Sequence, residues 1–390
     1  MQSTRQSPDS FPGNVSRSHP AALLFMLALA IIIIALASPA QATLFVDTNL
    51  VTDDQAANPA RITDPNLVNA WGMSHSATSP FWVSDNGKGL STLYSINPAT
   101  NNPTIGGLVV SIPGAGNPTG QVFANVAGNF NGDTFLFVSE DGTVSGWRGA
   151  LGTNAEVLVP SSDAVYKGSA LATIMTGGTA NAYLYAANFH TGAIDVFGGS
   201  AGAPALTGSF DDPGIPSGFA PFNIQNIGGN LFVTYAMQDA TGHDDVPGLG
   251  NGFVSEFDAQ GNFISRIGTQ GTLDSPWGLA LAPTSFGEFA GDLLVGNFGD
   301  GTINAFDLAS DMFVGQLPGT GGGPLAIDGL WALVAGNGGN GGSTQSIYFS
   351  AGPDGESHGL VGVIAAVPEP ATFALLGIGL AGLGFSRRKR

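Results

Sequence analysis

Short apolar runs with alternating side chains, broken by glycine-bearing turns, recur along most of this 390-residue chain. The clearest copy spans 276–307. It reads as an apolar run at 277–282, a second at 293–297, a Gly299-Asp300-Gly301 turn, and a third run at 302–307. Side chains that alternate between two faces, joined by tight turns, predict a meander of antiparallel strands.

The same phrase aligns six times. Its first runs fall at 70–73, 121–124, 169–172, 221–224, 276–279 and 329–332, centred on residues about 50 apart. Middle runs follow at 81–84, 135–138, 183–186, 231–234, 293–296 and 347–350. Third runs follow at 93–96, 144–147, 194–197, 254–257, 303–306 and 361–364. Polar segments after each copy supply a fourth, outer strand, as at 261–266. A period near 50 with four strands per unit predicts an all-β fold, a β-propeller of six four-stranded blades. Five or seven blades, or two sandwiches, are the competing counts. The strand-like run Thr43-Leu44-Phe45-Val46-Asp47 precedes the first copy. It is expected to pair with the last blade, closing the ring and hiding an edge.

Composition fits this picture and narrows it. Fifty-nine glycines and 24 prolines suit many tight turns, and 43% hydrophobic residues suffice for a core. Cysteine is absent, which excludes disulfides, thiolate nucleophiles and cysteine-based zinc sites. Between Thr43 and Ala366 the five bases are Arg61, Lys88, Arg148, Lys167 and Arg266; set against 27 acids, they leave this body at −22. Such charge repels phosphate backbones and argues against nucleic-acid binding, while it attracts divalent cations.

The two ends break the pattern. Ala21–Ala37 is an uncharged apolar run preceded by Arg5 and Arg17 and followed by Ala40-Gln41-Ala42. This order predicts a secretory signal peptide over 1–42, read by the secretion machinery, with an uncleaved anchor as the other reading. At the far end, Val367-Pro368-Glu369-Pro370 precedes an apolar stretch at 371–385, then Arg387-Arg388-Lys389-Arg390. Fifteen helical residues span about 22 Å, short of a hydrocarbon core of roughly 30 Å. This predicts a short membrane helix suited to a transient anchor, with its basic end cytoplasmic.

This three-part tail, 367–390, resembles the PEP-CTERM sorting signal of Gram-negative bacteria. The resemblance implies processing by an exosortase at Val367, Pro368, Glu369 and Pro370, with Arg387, Arg388, Lys389 and Arg390 as stop-transfer residues. It also implies an inner-membrane intermediate, then the cell surface or an exopolysaccharide or biofilm matrix. The body, 43–366, resembles NHL-like propellers. More closely, its phrases at 184–197, 219–225 and 291–307 resemble those of an uncharacterised bacterial family, which implies a fold and no reaction.

Three polar groups are candidates for chemistry. Asn69, Gln121, Lys167, Asn223, Asp274 and Asp328 lie near the starts of the first runs, where propeller loops surround a channel mouth. They read either as a ligand site or as caps of strand ends. Asp239, His243, Asp244 and Asp245 crowd a long insertion in the fourth copy and form a candidate metal site. Ca²⁺ suits the carboxylates, and a softer ion suits the histidine. Asp354, Glu356 and His358 form a smaller group of the same kind. The match Gly198-Gly199-Ser200-Ala201-Gly202 to a nucleophile elbow lies in a glycine-rich loop and lacks the strand-to-helix turn that motif needs. The leading expectation is an exported, non-catalytic propeller binding a carbohydrate, a protein or Ca²⁺. The alternative is an extracellular metal-dependent enzyme of lactonase or lyase type.

Overall fold

The structure, a computed structural model, describes residues 43–367. The expected signal peptide over 1–42, and the residues of the tail from Pro368 onward, lie outside the described residues. Among those described, no helix is long and apolar enough to cross a membrane.

Six antiparallel sheets follow one another along the chain. Their innermost strands are Ala70–Ser74, Pro118–Phe123, Tyr166–Thr176, Phe219–Ile227, Pro276–Leu281 and Leu330–Ala335. Each packs against the next, and the sixth packs against the first, so the ring is closed. The six-bladed propeller expected from the period is the fold. Four strands per blade is the rule; the third sheet holds three, ending at Ala193–Gly198.

Phe45–Thr52 lies antiparallel on Leu360–Ala366, from Phe45 opposite Ala366 to Thr52 opposite Leu360. The first strand of the body thus completes the last blade, and Ile62–Thr63 adds to it in parallel. Phe45 is fully buried, 4.8 Å from Phe286 and 5.8 Å from Phe289 between ring centroids. It anchors the closing strand to the blade-five connection as well as to blade six.

All six innermost strands carry a bulge near their start, where one extra residue is unpaired. Trp71, Thr119, Lys167, Phe222, Trp277 and Trp331 stand there. The next residue is glycine in four blades, and the reason is steric. A Cβ on Gly72 would lie 2.4 Å from the Thr119 carbonyl oxygen, and one on Gly120 would lie 2.4 Å from the Ser169 amide nitrogen. Bulge and glycine together bring neighbouring blades into backbone contact around the axis.

The aromatic residues at these bulges fill the channel. Trp71 stacks on Trp331 at 3.6 Å, Trp277 meets both edge-on, and Phe298 stacks on the other face of Trp331 at 3.9 Å. The axis is therefore a plugged core with two separate mouths.

Asp85, in the second strand of blade one, is fully buried, and its Oδ2 has no hydrogen-bond partner. Burial pushes its carboxyl well above the ordinary range, against a hydrogen bond from Thr92 and with added repulsion from Asp64. A carboxyl whose folded value is raised binds more protons in the native state than in the unfolded state. Stability therefore falls as pH climbs from about 4, the unfolded value, through the raised folded value. Asp85→Asn keeps the acceptor for Thr92 and removes the charge. Thermal denaturation between pH 4 and 8 should show the variant more stable at neutrality and flatter across this window. A variant less stable at pH 7 with an unchanged slope would contradict the assignment.

Candidate functional site at the channel mouth

The innermost strands start at one end of the channel, and the turns joining second to third strands reach the same end. A continuous chain of polar contacts forms there. Glu356 Oε2 accepts from Asn69 Nδ2 at 2.6 Å, and Asn69 Nδ2 also donates to Asn86 Oδ1 at 3.2 Å. Asn86 Nδ2 donates to Glu140 Oε2 at 3.0 Å, and Lys167 Nζ donates to Glu140 Oε1 at 2.5 Å and to Asp244 Oδ1 at 3.2 Å. His243 Nδ1 lies 2.8 Å from Asp244 Oδ1. Blades six, one, two, three and four are thus linked in sequence.

The aromatic plug is the floor of this network. Asn69 Oδ1 accepts from Trp71 Nε1 at 2.9 Å and from Trp331 Nε1 at 3.3 Å, while Trp277 Nε1 donates to the Lys167 carbonyl at 3.0 Å. The Lys167 ammonium sits 5.2 Å from the Trp71 ring centroid, a cation–π distance. All three indole donors are satisfied.

Charge decides the character of the site. The Lys167 side chain is only 3% exposed, and burial alone would depress its ammonium. Glu140 and Asp244 outweigh that and hold it above the usual lysine value. A catalytic base or Schiff-base lysine needs the opposite shift. Burial pushes Glu356 up, helped by the charges of Glu140 and Asp245 and opposed by Asn69 and Lys167. Burial also raises Asp245, against the pull of the Ser275 hydroxyl and of Lys167. Asn69 and Glu356, bonded to each other, both sit in left-handed backbone with φ of 49° and 67°. For a glutamate that conformation costs energy and marks a turn shaped by its surroundings.

The sequence candidates separate into three groups. Asn69 and Lys167 belong to the network. Gln121 and Asn223 are buried farther along the channel wall as ties between blades: Gln121 Nε2 donates to the Gly72 carbonyl at 2.7 Å, and Asn223 Nδ2 donates to the Trp277 carbonyl at 2.8 Å. Asp274 and Asp328 fix turns, accepting from the Gly248 and Asp354 amides. The blade-four insertion also divides. Asp239 turns inward on its own loop, accepting from Thr241 and the His243 amide, and these bonds pull its carboxyl down to about 2. His243 and Asp244 join Lys167, with Asp245 close by in charge.

Glu140 and Asn86 are the members that reading the strand starts alone misses. They lie on second-to-third turns, the same position in their blades that the insertion occupies in blade four. Glu140, His243 and Asp244 also bring three potential metal donors within 4.8 Å of one another. The fit to Ca²⁺ or a softer ion is poor. The Lys167 ammonium already takes one oxygen from each carboxylate, so a divalent ion would have to displace a cation built into the chain.

Residues 366–389 match the PEP-CTERM protein-sorting motif. Uncharacterized protein R648 of Acanthamoeba polyphaga mimivirus is 33% identical over 79% of this chain and 77% of its own length. Uncharacterized protein L690 of the same virus is 32% identical over 77% of this chain and 80% of its own length. Among solved structures, a streptogramin B lyase (TM-score 0.44, 9% identity) and an α-L-arabinanase of Penicillium chrysogenum in complex with arabinobiose (TM-score 0.46, 10% identity) each cover 83% of this chain and 98% of their own. At that distance no activity is carried over. The sorting motif, which implies exosortase-mediated sorting, and the fold together make this an exported propeller protein. The chain belongs to the family of the mimivirus proteins R648 and L690, in a form that ends in a PEP-CTERM sorting motif.

Proposed function

We propose that the protein is a non-catalytic binding module, cut at Val367–Pro370 from an inner-membrane intermediate and presented at the cell surface or in its polysaccharide matrix. In this reading 1–42 is a signal peptide, 43–366 is the working body, and 367–390 is the sorting signal with Arg387–Arg390 as its stop. The observation that carries the non-catalytic part is the state of Lys167. Its ammonium stands between Glu140 and Asp244, where a metal-dependent propeller would need an open cation position. Held protonated, it also offers no nucleophile or base.

Metal analysis of the purified body after dialysis should find no stoichiometric divalent ion. A tightly held ion, lost on Glu140→Ala or Asp244→Ala, would overturn this reading in favour of the metal-dependent enzyme.

A further inference from the structure

The opposite mouth, where the innermost strands leave the channel, holds a cavity of about 330 Å³ whose polar lining is Ser74, His75, Gln121, Gln225 and Asn226. We infer that this cavity is a ligand site for an uncharged, polyhydroxylated molecule, a saccharide unit offered free or at a polysaccharide end. The inference deepens the binding-module reading above and rests on it for the ligand being held intact.

Charge is the first argument. The body carries 27 acids and five bases, yet among the described residues no charged side chain lines this cavity. Without carboxylates it has no ligand set for a hard cation, and without arginine or lysine it has no partner for an anion. Amides and hydroxyls both donate and accept, which is what neighbouring sugar hydroxyls require. Met73, Phe123, Leu171 and Val334 complete the lining with apolar residues. The volume lies at the small end of the usual range for ligand sites.

Preorganisation is the second. Gln121 donates to the Gly72 carbonyl and receives a longer contact of 3.4 Å from Ser74 Oγ. The Asn226 amide donates to the Leu171 carbonyl at 2.8 Å. His75 is fixed with each ring nitrogen 2.9 Å from a carbonyl oxygen, of Ser76 and of Ala335. Groups already held in place lose little freedom when a ligand arrives.

The third argument is an unmet hydrogen bond. The cavity continues inward into a recess of about 20 Å³ that shares Met73, Gln121, Gln225 and Val334 with it. Ser169 lines this recess, 4% exposed, and its Oγ has no hydrogen-bond partner. A buried hydroxyl left unpaired is costly, and a ligand hydroxyl, or a water beneath it, would satisfy it. Below lies the tryptophan plug, so the site is a blind cup.

The test is calorimetric titration of the intact body with neutral hexoses, deoxyhexoses and their short oligomers, and with neutral polysaccharides by co-sedimentation. Binding of a free sugar, or of a polysaccharide alone through its chain end, supports the site. Gln225→Ala, at a half-buried position that folding should tolerate, and Gln225→Trp, which fills the cup, should each weaken binding about ten-fold or more. Gln121→Leu should do the same wherever its thermal melt shows it folded. No binding by the wild-type protein at millimolar sugar, or binding untouched by both Gln225 variants, would overturn the inference. A bound sugar found cleaved or modified would leave the site standing and overturn the non-catalytic reading.

Discussion

Lys167→Ala is expected to destabilise the body by about 3–5 kcal/mol, the cost of removing one partner from a buried ion pair. The variant would leave Glu140 and Asp244 facing each other with Asp245 and Glu356 nearby, over three tryptophans and without a cation. Two further results distinguish this electrostatic loss from a simple packing defect. Lys167→Met, which keeps most of the side-chain volume, should be nearly as destabilised. Millimolar Ca²⁺ should raise the urea midpoint of Lys167→Ala and leave that of the wild-type protein unchanged, because only the variant has a vacant cation position. Wild-type stability in Lys167→Met would show that the ammonium contributes little and that the network is held by its asparagines.

Phe45→Ala is expected to cost a similar 3–5 kcal/mol, through both lost transfer free energy and the cavity left among Phe286, Phe289 and their neighbours. Val46, the next residue on the same strand, is 40% exposed, and Val46→Ala should change stability by no more than about 0.5 kcal/mol. The pair separates side-chain anchoring from the backbone pairing that both variants retain. Urea unfolding should show the gap directly. Equal effects would mean that Phe45 does not hold the ring closed.

Blade number was legible because strands and turns are local, and each copy repeats the same alternation within about 50 residues. The frame slipped in two places for one physical reason. The alignment put the second and third innermost strands at 121–124 and 169–172, whereas they start at Pro118 and Tyr166. In those blades Thr119-Gly120 and Lys167-Gly168 occupy the bulge that Trp71-Gly72 and Trp277-Gly278 fill elsewhere. With no aromatic residue to mark it, the alternation there matches the nearest apolar stretch instead. The slip fell on Lys167, the residue around which the network is built. Its partners Glu140, Asn86 and Asp244 come from three separate turns, and only the closed ring brings them together. Asp274 and Asp328, chosen as carboxylates at strand starts, serve backbone turns, a role that periodicity does not distinguish from ligand binding. The missing fourth strand of blade three was equally hidden, since polar outer segments carry little pattern.

The closing strand also sets an order of events. The strand Phe45–Thr52 is among the first parts of the body to be synthesised, and its partner Leu360–Ala366 is the last. The ring therefore completes only after the whole body has left the ribosome, by pairing ends more than 300 residues apart, a slow kind of contact. The final hydrogen bond of that seam, from the Val367 amide to the Leu44 carbonyl at 2.8 Å, engages a residue inside the sorting motif. A chain that fails to close leaves this junction unpaired, and one that succeeds fixes it to the closing strand of the last blade. Closing the ring thus fixes the backbone where the sorting motif begins.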